Sequence, residues 1–175
     1  LKLFKSNNEI IKADSNGDEL FYKAANIHQS VAWKVNTWML EQVTHAYDNN
    51  IEVGCLLPRD GWPIPPYPKH LDEEDLGVLK WRKTAKILHE KNDRTRNTRI
   101  ANAKILWVAR RFQEEEEIFF PTSMDFRGRF YYRPPYLNPQ GNDVSRSLLL
   151  FANAKPITEE SHVDWLRIHG ANLYG

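Results

Sequence analysis

The chain has 175 residues, 41% of them apolar and 27% charged, with a formal net charge of +1. That size and balance give one domain or two small subdomains with a genuine core, and no apolar run approaches the ~20 residues of a membrane span. The single cysteine, Cys55, excludes an internal disulfide and suits a reducing compartment, and six scattered histidines with one cysteine argue against structural zinc.

The first residues, Leu-Lys-Leu-Phe-Lys-Ser-Asn-Asn, turn polar at once, unlike a signal peptide. The first residue is leucine rather than methionine, which suggests a processed product or a piece of something longer. The small net charge hides blocks. Between Lys80 and Arg111 stand eleven Lys/Arg and only two acids, Glu90 and Asp93. Acidic runs flank this stretch at 72–75 and 114–117. A basic block of this kind reads either as a solvated helix face or as a nucleic-acid surface.

Residues 24–47 read as a helix. Ala32, Val35, Met39, Val43 and Ala46 recur at spacings of three and four, and Asp48-Asn49-Asn50 supplies a stop. Trp33 and Trp38 read as core or helix-packing residues. Residues 56–69 hold Pro58, Pro63, Pro65, Pro66 and Pro68, so they form an extended connection and mark the best internal boundary by composition. A second helix begins at Leu76 with Val78, Trp81, Ala85 and Leu88, and a break falls near Lys91-Asn92-Asp93. A third helix follows with the stripe Ala101, Ile105, Val108 and Phe112. The first half is therefore bundle-like with a cationic side.

The character changes at Glu117. Ile118-Phe119-Phe120-Pro121 reads as a short buried strand. The run Met-Asp-Phe-Arg-Gly-Arg-Phe-Tyr-Tyr at 124–132 follows. If 125–131 is a strand, Arg127, Arg129 and Tyr131 share one face, with the two arginines ~6.6 Å apart, close to the spacing of phosphates along an extended strand. Guanidiniums pair bidentately with phosphate and stay charged. Gly128 would leave room on the opposite face for a backbone or ligand, and Tyr131 offers a hydroxyl and a ring. Asp125 is a turn-fixing or arginine-fixing carboxylate, or a metal ligand without partners. In the loop 133–142, the amides of Asn138, Gln140 and Asn142 could read bases, phosphate or sugar, or make ordinary turn bonds. Asp143 is a candidate N-cap for a helix carrying Leu148, Leu149 and Phe151, with Arg146 in its first turn. Thr158 can cap a last helix with Val163, Leu166, Gly170 and Leu173 at helical spacing. Arg96 and Arg99, in the basic block, complete the candidate nucleic-acid set of Arg127, Arg129, Tyr131, Gln140, Arg146, Arg96 and Arg99.

Met124 to Arg129, with Asn-Pro-Gln-Gly-Asn-Asp at 138–143, resembles the signature of single-subunit DNA-directed RNA polymerases of bacteriophages and mitochondria. Leu148-Leu149, Lys155-Pro156 and Trp-Leu-Arg-Ile-His-Gly-Ala-Asn at 165–172 continue the resemblance, as do Ala25-Asn26-Ile27 and Ala-Trp-Lys-Val-Asn at 32–36. It covers most of the chain from about Ala24, though not the proline zone. Phe126 stands where phage members often carry tryptophan. The resemblance implies a mainly helical α+β fold: residues 1–116 a thumb-like helical region with the Pro-rich connection at 56–69, and 117–175 the beginning of a palm. It also implies that Arg127, Arg129 and Tyr131 contact the nucleic-acid backbone beside the RNA–DNA hybrid.

The implied partners are a DNA template, an RNA transcript, nucleoside triphosphates and the remaining polymerase segments, with no membrane. Mg²⁺ is the implied cofactor, bound by aspartates in Asp-Gly-Ser and His-Asp-Ser contexts. Neither context occurs here, and Asp60-Gly61 is followed by Trp62. The expectation is an internal segment, inactive alone, without catalytic or metal-binding residues. The alternative is a stand-alone nucleic-acid-binding module derived from that fold, or an interaction scaffold. The expected location is the cytoplasm of an infected bacterial host, on the phage-like Asn-Pro-Gln-Gly-Asn, with the mitochondrion as the alternative suggested by Pro134-Pro135.

Overall fold

A single asparagine decides the first part of the chain. In the computed structural model, which describes residues 19–125 and 127–174, Asn36 caps a helix by accepting from Met39 N at 3.1 Å. The span expected as one helix is therefore split three ways: helix α1 (Glu19–Gln29), strand β1 (Trp33–Val35) and helix α2 (Thr37–Asp48). The apolar positions on either side of Asn36 serve different elements. Trp33 packs among aromatics, 4.4 Å from Phe151 between ring centroids, whereas Trp38 is 64% exposed and joins no core. The expected stop holds: the Asn49 backbone N–H and side-chain amide both donate to His45 O, and Asn50 turns the chain at φ 59°.

Asp75 caps helix α3 (Leu76–Phe112), its side-chain oxygen accepting from Gly77 N at 2.6 Å. The break expected near Asn92 is absent, and α3 runs unbroken for 37 residues, about 55 Å. No glycine or proline interrupts it after Gly77, and the polar residues that suggested a break have partners. Asp93 pairs with Arg96 one turn on, while the Asn92 amide donates to Trp62 O and accepts from Trp62 N at 2.9 and 2.7 Å.

That last contact belongs to a strap. The Pro-rich segment runs antiparallel along α3. Arg99 Nη1 donates to Leu57 O at 2.5 Å, Asn92 holds Trp62, and Trp81 Nε1 donates to Pro65 O at 2.8 Å. Lys91 Nζ sits 3.5 Å from the Trp62 ring, and Tyr67 meets Trp81 edge-on. The lengths agree: eight residues of extended chain cover roughly 25 Å, and the eighteen helical residues from Trp81 to Arg99 cover about 27 Å.

The C-terminal half of α3 supplies the core. Ile105, Leu106, Val108, Ala109 and Phe112 are buried against Val35, Leu40 and Val43 on one side and Ile118, Phe120, Leu137, Val144, Leu148 and Leu149 on the other. One core thus spans residues on both sides of position 116. Ile118 and Phe120 are buried as expected, but Ile118 forms a lone bridge to Trp33, and the strand proper, β2, is Thr122–Met124. It pairs antiparallel with β3 (Phe130–Tyr132), Ser123 opposite Tyr131.

Asn142, rather than Asp143, caps the short helix α4 (Asp143–Ser147) through Ser145 N. The helix ends before Leu149, so Leu149 and Phe151 lie in β4 (Leu149–Phe151), antiparallel to β1 with Val35 opposite Leu149. Helix α5 (Glu160–Tyr174) carries the last expected stripe and buries none of it. Among the described residues, helices dominate, two small antiparallel sheets complete an α+β architecture, and no helix is long and apolar enough to cross a membrane.

Candidate nucleic-acid interface

Residues 125–131 do not form one continuous strand. Among the described residues, Asp125 and 127–129 make a tight turn between β2 and β3, Phe130 and Tyr131 already belong to β3, and one carboxylate organises the turn. Asp125 Oδ1 accepts from Arg127 N at 2.9 Å and Arg129 N at 3.0 Å. Its Oδ2 accepts from Arg127 Nε, with Arg127 Nη2 also at 3.0 Å. The backbone closes the ring, Asp125 N donating to Arg129 O and Gly128 N to Asp125 O. The carboxyl is held below its ordinary value, chiefly by the Arg129 backbone N–H and further by Arg127, with burial opposing. Asp125 is therefore the turn-fixing residue.

The strand geometry expected for Arg127, Arg129 and Tyr131 is replaced accordingly. Arg127 is tethered to Asp125 with its side chain still 54% exposed. Arg129 is exposed and, among the described residues, no ion pair holds its side chain. Tyr131, 41% exposed, follows in β3. Phe126 lies outside the described residues. Gly128 has a different reason from the one expected. A Cβ there would meet nothing within 4 Å, but its φ is +79°, which side chains of L residues rarely adopt.

The hairpin is seated by two side chains. Gln140 spends both ends of its amide on β3, accepting from Tyr132 N at 3.1 Å and donating to Phe130 O at 3.0 Å. It thus positions the hairpin edge instead of presenting its amide outward. On the other face, the Tyr132 hydroxyl lies 3.1 Å from His28 Nδ1 and the His28 ring stacks on Phe130, fastening the hairpin to α1. Burial pushes the Tyr132 phenol up, which keeps its proton in place.

A buried polar network joins this region to α3. Asn102, fully buried, donates to Cys55 O at 2.9 Å and accepts from Asn142 Nδ2 at 3.0 Å. Ser145, also fully buried, accepts from Asn138 N and reaches the carbonyls of Tyr136 and Asn138. Gly141 permits this closeness, since a Cβ there would lie 2.6 Å from Ser145 Cβ. The amides of the 133–142 loop are thus occupied internally. Arg146 is exposed and pairs with Asp143 one turn earlier.

Arg96 and Arg99 come together at a different place, an open groove of about 890 Å³ along α3. Arg99 is held there by Leu57 O and by the Tyr47 ring, 4.4 Å from its guanidinium carbon. Trp107 and Tyr136 also line the groove, and the sequence reading missed both. Trp107 falls between the core positions Leu106 and Val108 and reads as one more core residue. Only the 100° turn between helical neighbours would have placed it outside.

Among the described residues, no three His, Cys, Asp or Glu side chains converge as a metal site needs. Asp125 spends both oxygens on N–H donors. The described residues therefore do not fit a catalytic magnesium ion, and no reaction step runs through one among them.

No family model matches the chain. Whole-chain comparison finds close relatives. The DNA-directed RNA polymerase of Enterobacteria phage T3 is 37% identical over 155 residues, 88% of this chain and 17% of that protein. The mitochondrial DNA-directed RNA polymerase 1 of Arabidopsis thaliana is 36% identical over 156 residues, 89% of this chain and 16% of that protein. T7 RNA polymerase of Escherichia phage T7 is 36% identical over 160 residues, 88% of this chain and 17% of that protein. The chain spans about one-sixth of the length of these curated relatives. With matches of this extent to both phage and organelle enzymes, on top of the Asp-Phe-Arg-Gly-Arg turn and the Asn-Pro-Gln-Gly-Asn loop, the chain belongs to the single-subunit DNA-directed RNA polymerase family.

Proposed function

We propose that the chain is one segment of a DNA-directed RNA polymerase that transcribes a DNA template, and that this segment grips the template and the RNA–DNA hybrid. Residues 1–116, with the strapped α3, are the thumb-like part, and residues 117–175 begin the palm. Residues that hold Mg²⁺ and the nucleoside triphosphates lie in other parts of the polymerase, since the Asp-Gly-Ser and His-Asp-Ser contexts do not occur here. The working location is a phage-infected bacterial cytoplasm or an organelle.

The observation that carries this reading is the Asp125 turn. A carboxylate that accepts two backbone N–H groups fixes the local conformation without using the Arg129 side chain. The turn therefore holds an exposed guanidinium on a short, pinned support beside Tyr131, suited to phosphate and sugar. Arg127 contributes as half of a neutral pair with Asp125. Arg146, and from the separate groove on α3 Arg96 and Arg99, are weaker phosphate contacts, because each already has an intramolecular partner.

The test is the salt dependence of hybrid retention by the polymerase that carries this segment. Arg129→Ala lowers the slope of log K against log salt by about 0.9, one phosphate contact on the B-DNA scale. Arg127→Ala lowers it by less, because Asp125 already offsets that charge. An unchanged slope in Arg129→Ala removes the phosphate role.

A further inference from the structure

The groove on α3 has a chemistry that the hairpin lacks. Arg59, Arg96, Arg99 and Lys104 line it, and among the described residues no acid does; Asp93 pairs with Arg96 from one turn earlier. Between these cations lie ring faces. Trp107 is 63% exposed, and Tyr136 37% exposed with Lys104 Nζ 5.3 Å from its ring centre. Along α3, Arg96, Ile100, Ala103 and Trp107 follow one another at steps of four, three and four, so they form one stripe about 16 Å long.

Cations to follow a backbone, with exposed rings between them, make a surface for unpaired nucleotides. A duplex could meet the cations but not the rings, because its base faces are already stacked on one another. A protein partner would have to bring acidic groups to match the lining and still leave the indole face covered.

We propose that this groove binds single-stranded nucleic acid, with a base stacked on Trp107 and phosphates on Lys104, Arg96 and Arg59. Its groups read charge and ring faces, which RNA and DNA share, so it takes either sugar. The site is separate from the hairpin turn and goes beyond the grip on the hybrid proposed above.

The experiment uses the whole polymerase that carries this segment, with short single-stranded oligomers containing 5-iodouridine or its deoxy form. Irradiation is followed by peptide mapping, and oligomer affinity is measured for variants. Adducts at Trp107 or Tyr136 are expected with both sugars. Trp107→Ala weakens oligomer binding about tenfold, within the range for one lost stacking contact, and Trp107→Phe restores most of it. Lys104→Gln, an exposed position that leaves folding intact, lowers the salt slope by about 0.7. Retention of the hybrid is measured on the same variants and stays unchanged, which separates this site from the Arg129 turn. Adducts elsewhere with unchanged affinity in Trp107→Ala and Lys104→Gln overturn the proposal, as they would if another part of the polymerase covers the groove. Adducts with RNA alone overturn the sugar-blind recognition.

Discussion

Replacing Asn102 by alanine cuts the link between α3 and the 133–147 region, and the structure allows the cost to be worked out. The Asn102 side chain is fully buried, with one donor on Cys55 O and one acceptor for Asn142 Nδ2. Alanine leaves both partners without their bond. Cys55 is half-buried and Asn142 exposed, so water partly replaces both bonds, and at about 0.5–1.5 kcal/mol per lost bond a total of about 2 kcal/mol is expected. Because Asn142 is also the N-cap of α4, the loss is felt locally and not only in global stability. Amide hydrogen exchange on the whole polymerase reads such local opening. A loss of about 2 kcal/mol speeds exchange roughly 30-fold. The faster amides are those of Asn138, Ser145, Arg146 and Leu148, all bonded within this network or helix. Asn102→Asp is worse than alanine, since a carboxylate cannot donate to Cys55 O and would be charged where it is buried. Exchange in 138–148 within about threefold of the parent protein would refute the reasoning.

The hairpin and the strap make further predictions. Gly128→Ala costs roughly 1–2 kcal/mol from backbone strain alone, since nothing lies near the added Cβ; it is read as faster exchange of the Asp125 and Gly128 amides, with Gly128→Asn milder. The Asp125 carboxyl is lowered in the folded turn, so its contribution is present above the ordinary carboxylate range near pH 4 and is lost as pH falls through the lowered value. The Arg127 and Arg129 amide resonances are therefore expected to stay constant from neutral pH to about pH 4 and to shift only below it, a transition that disappears in Asp125→Asn. Trp81→Phe removes the indole bond to Pro65 O, worth about 1 kcal/mol, and makes tryptic cleavage after Lys69 about fivefold faster without changing cleavage near α4.

Family and fold class were legible because short motifs carry them: the Asp125 turn and the 138–143 loop use residue types that only a particular backbone needs. The ends of α2 and α3 were legible from Asp48-Asn49-Asn50 and the apolar stripe through Ile105 and Phe112. The strand β1 was not. Trp33 and Val35 also fit a helical stripe, and their partner, β4, lies at the other end of the sequence, so no local pattern reports the pairing. Leu149 and Phe151 were misread for the same reason. The supposed break at 91–93 came from polar residues of which Lys91 and Asn92 hold the strap, a contact between segments that composition cannot show, while Asp93 pairs with Arg96 within the helix. At the site, residue identity was readable and geometry was not. Asp125 was expected to fix a turn, and does, yet the alternation of a strand was assumed for the arginines that this same carboxylate folds into a turn. Gln140 was read for its amide chemistry, and only its distances to β3 reveal where that chemistry is spent.

The most direct measurement replaces Tyr131 with a photoreactive phenylalanine analogue in the whole polymerase, stalled on a template with labelled RNA and labelled DNA. The proposed grip predicts adducts to nucleotides within the RNA–DNA hybrid, diminished when Arg129→Ala is combined with the probe. Adducts confined to protein, or to duplex DNA outside the hybrid, would contradict it.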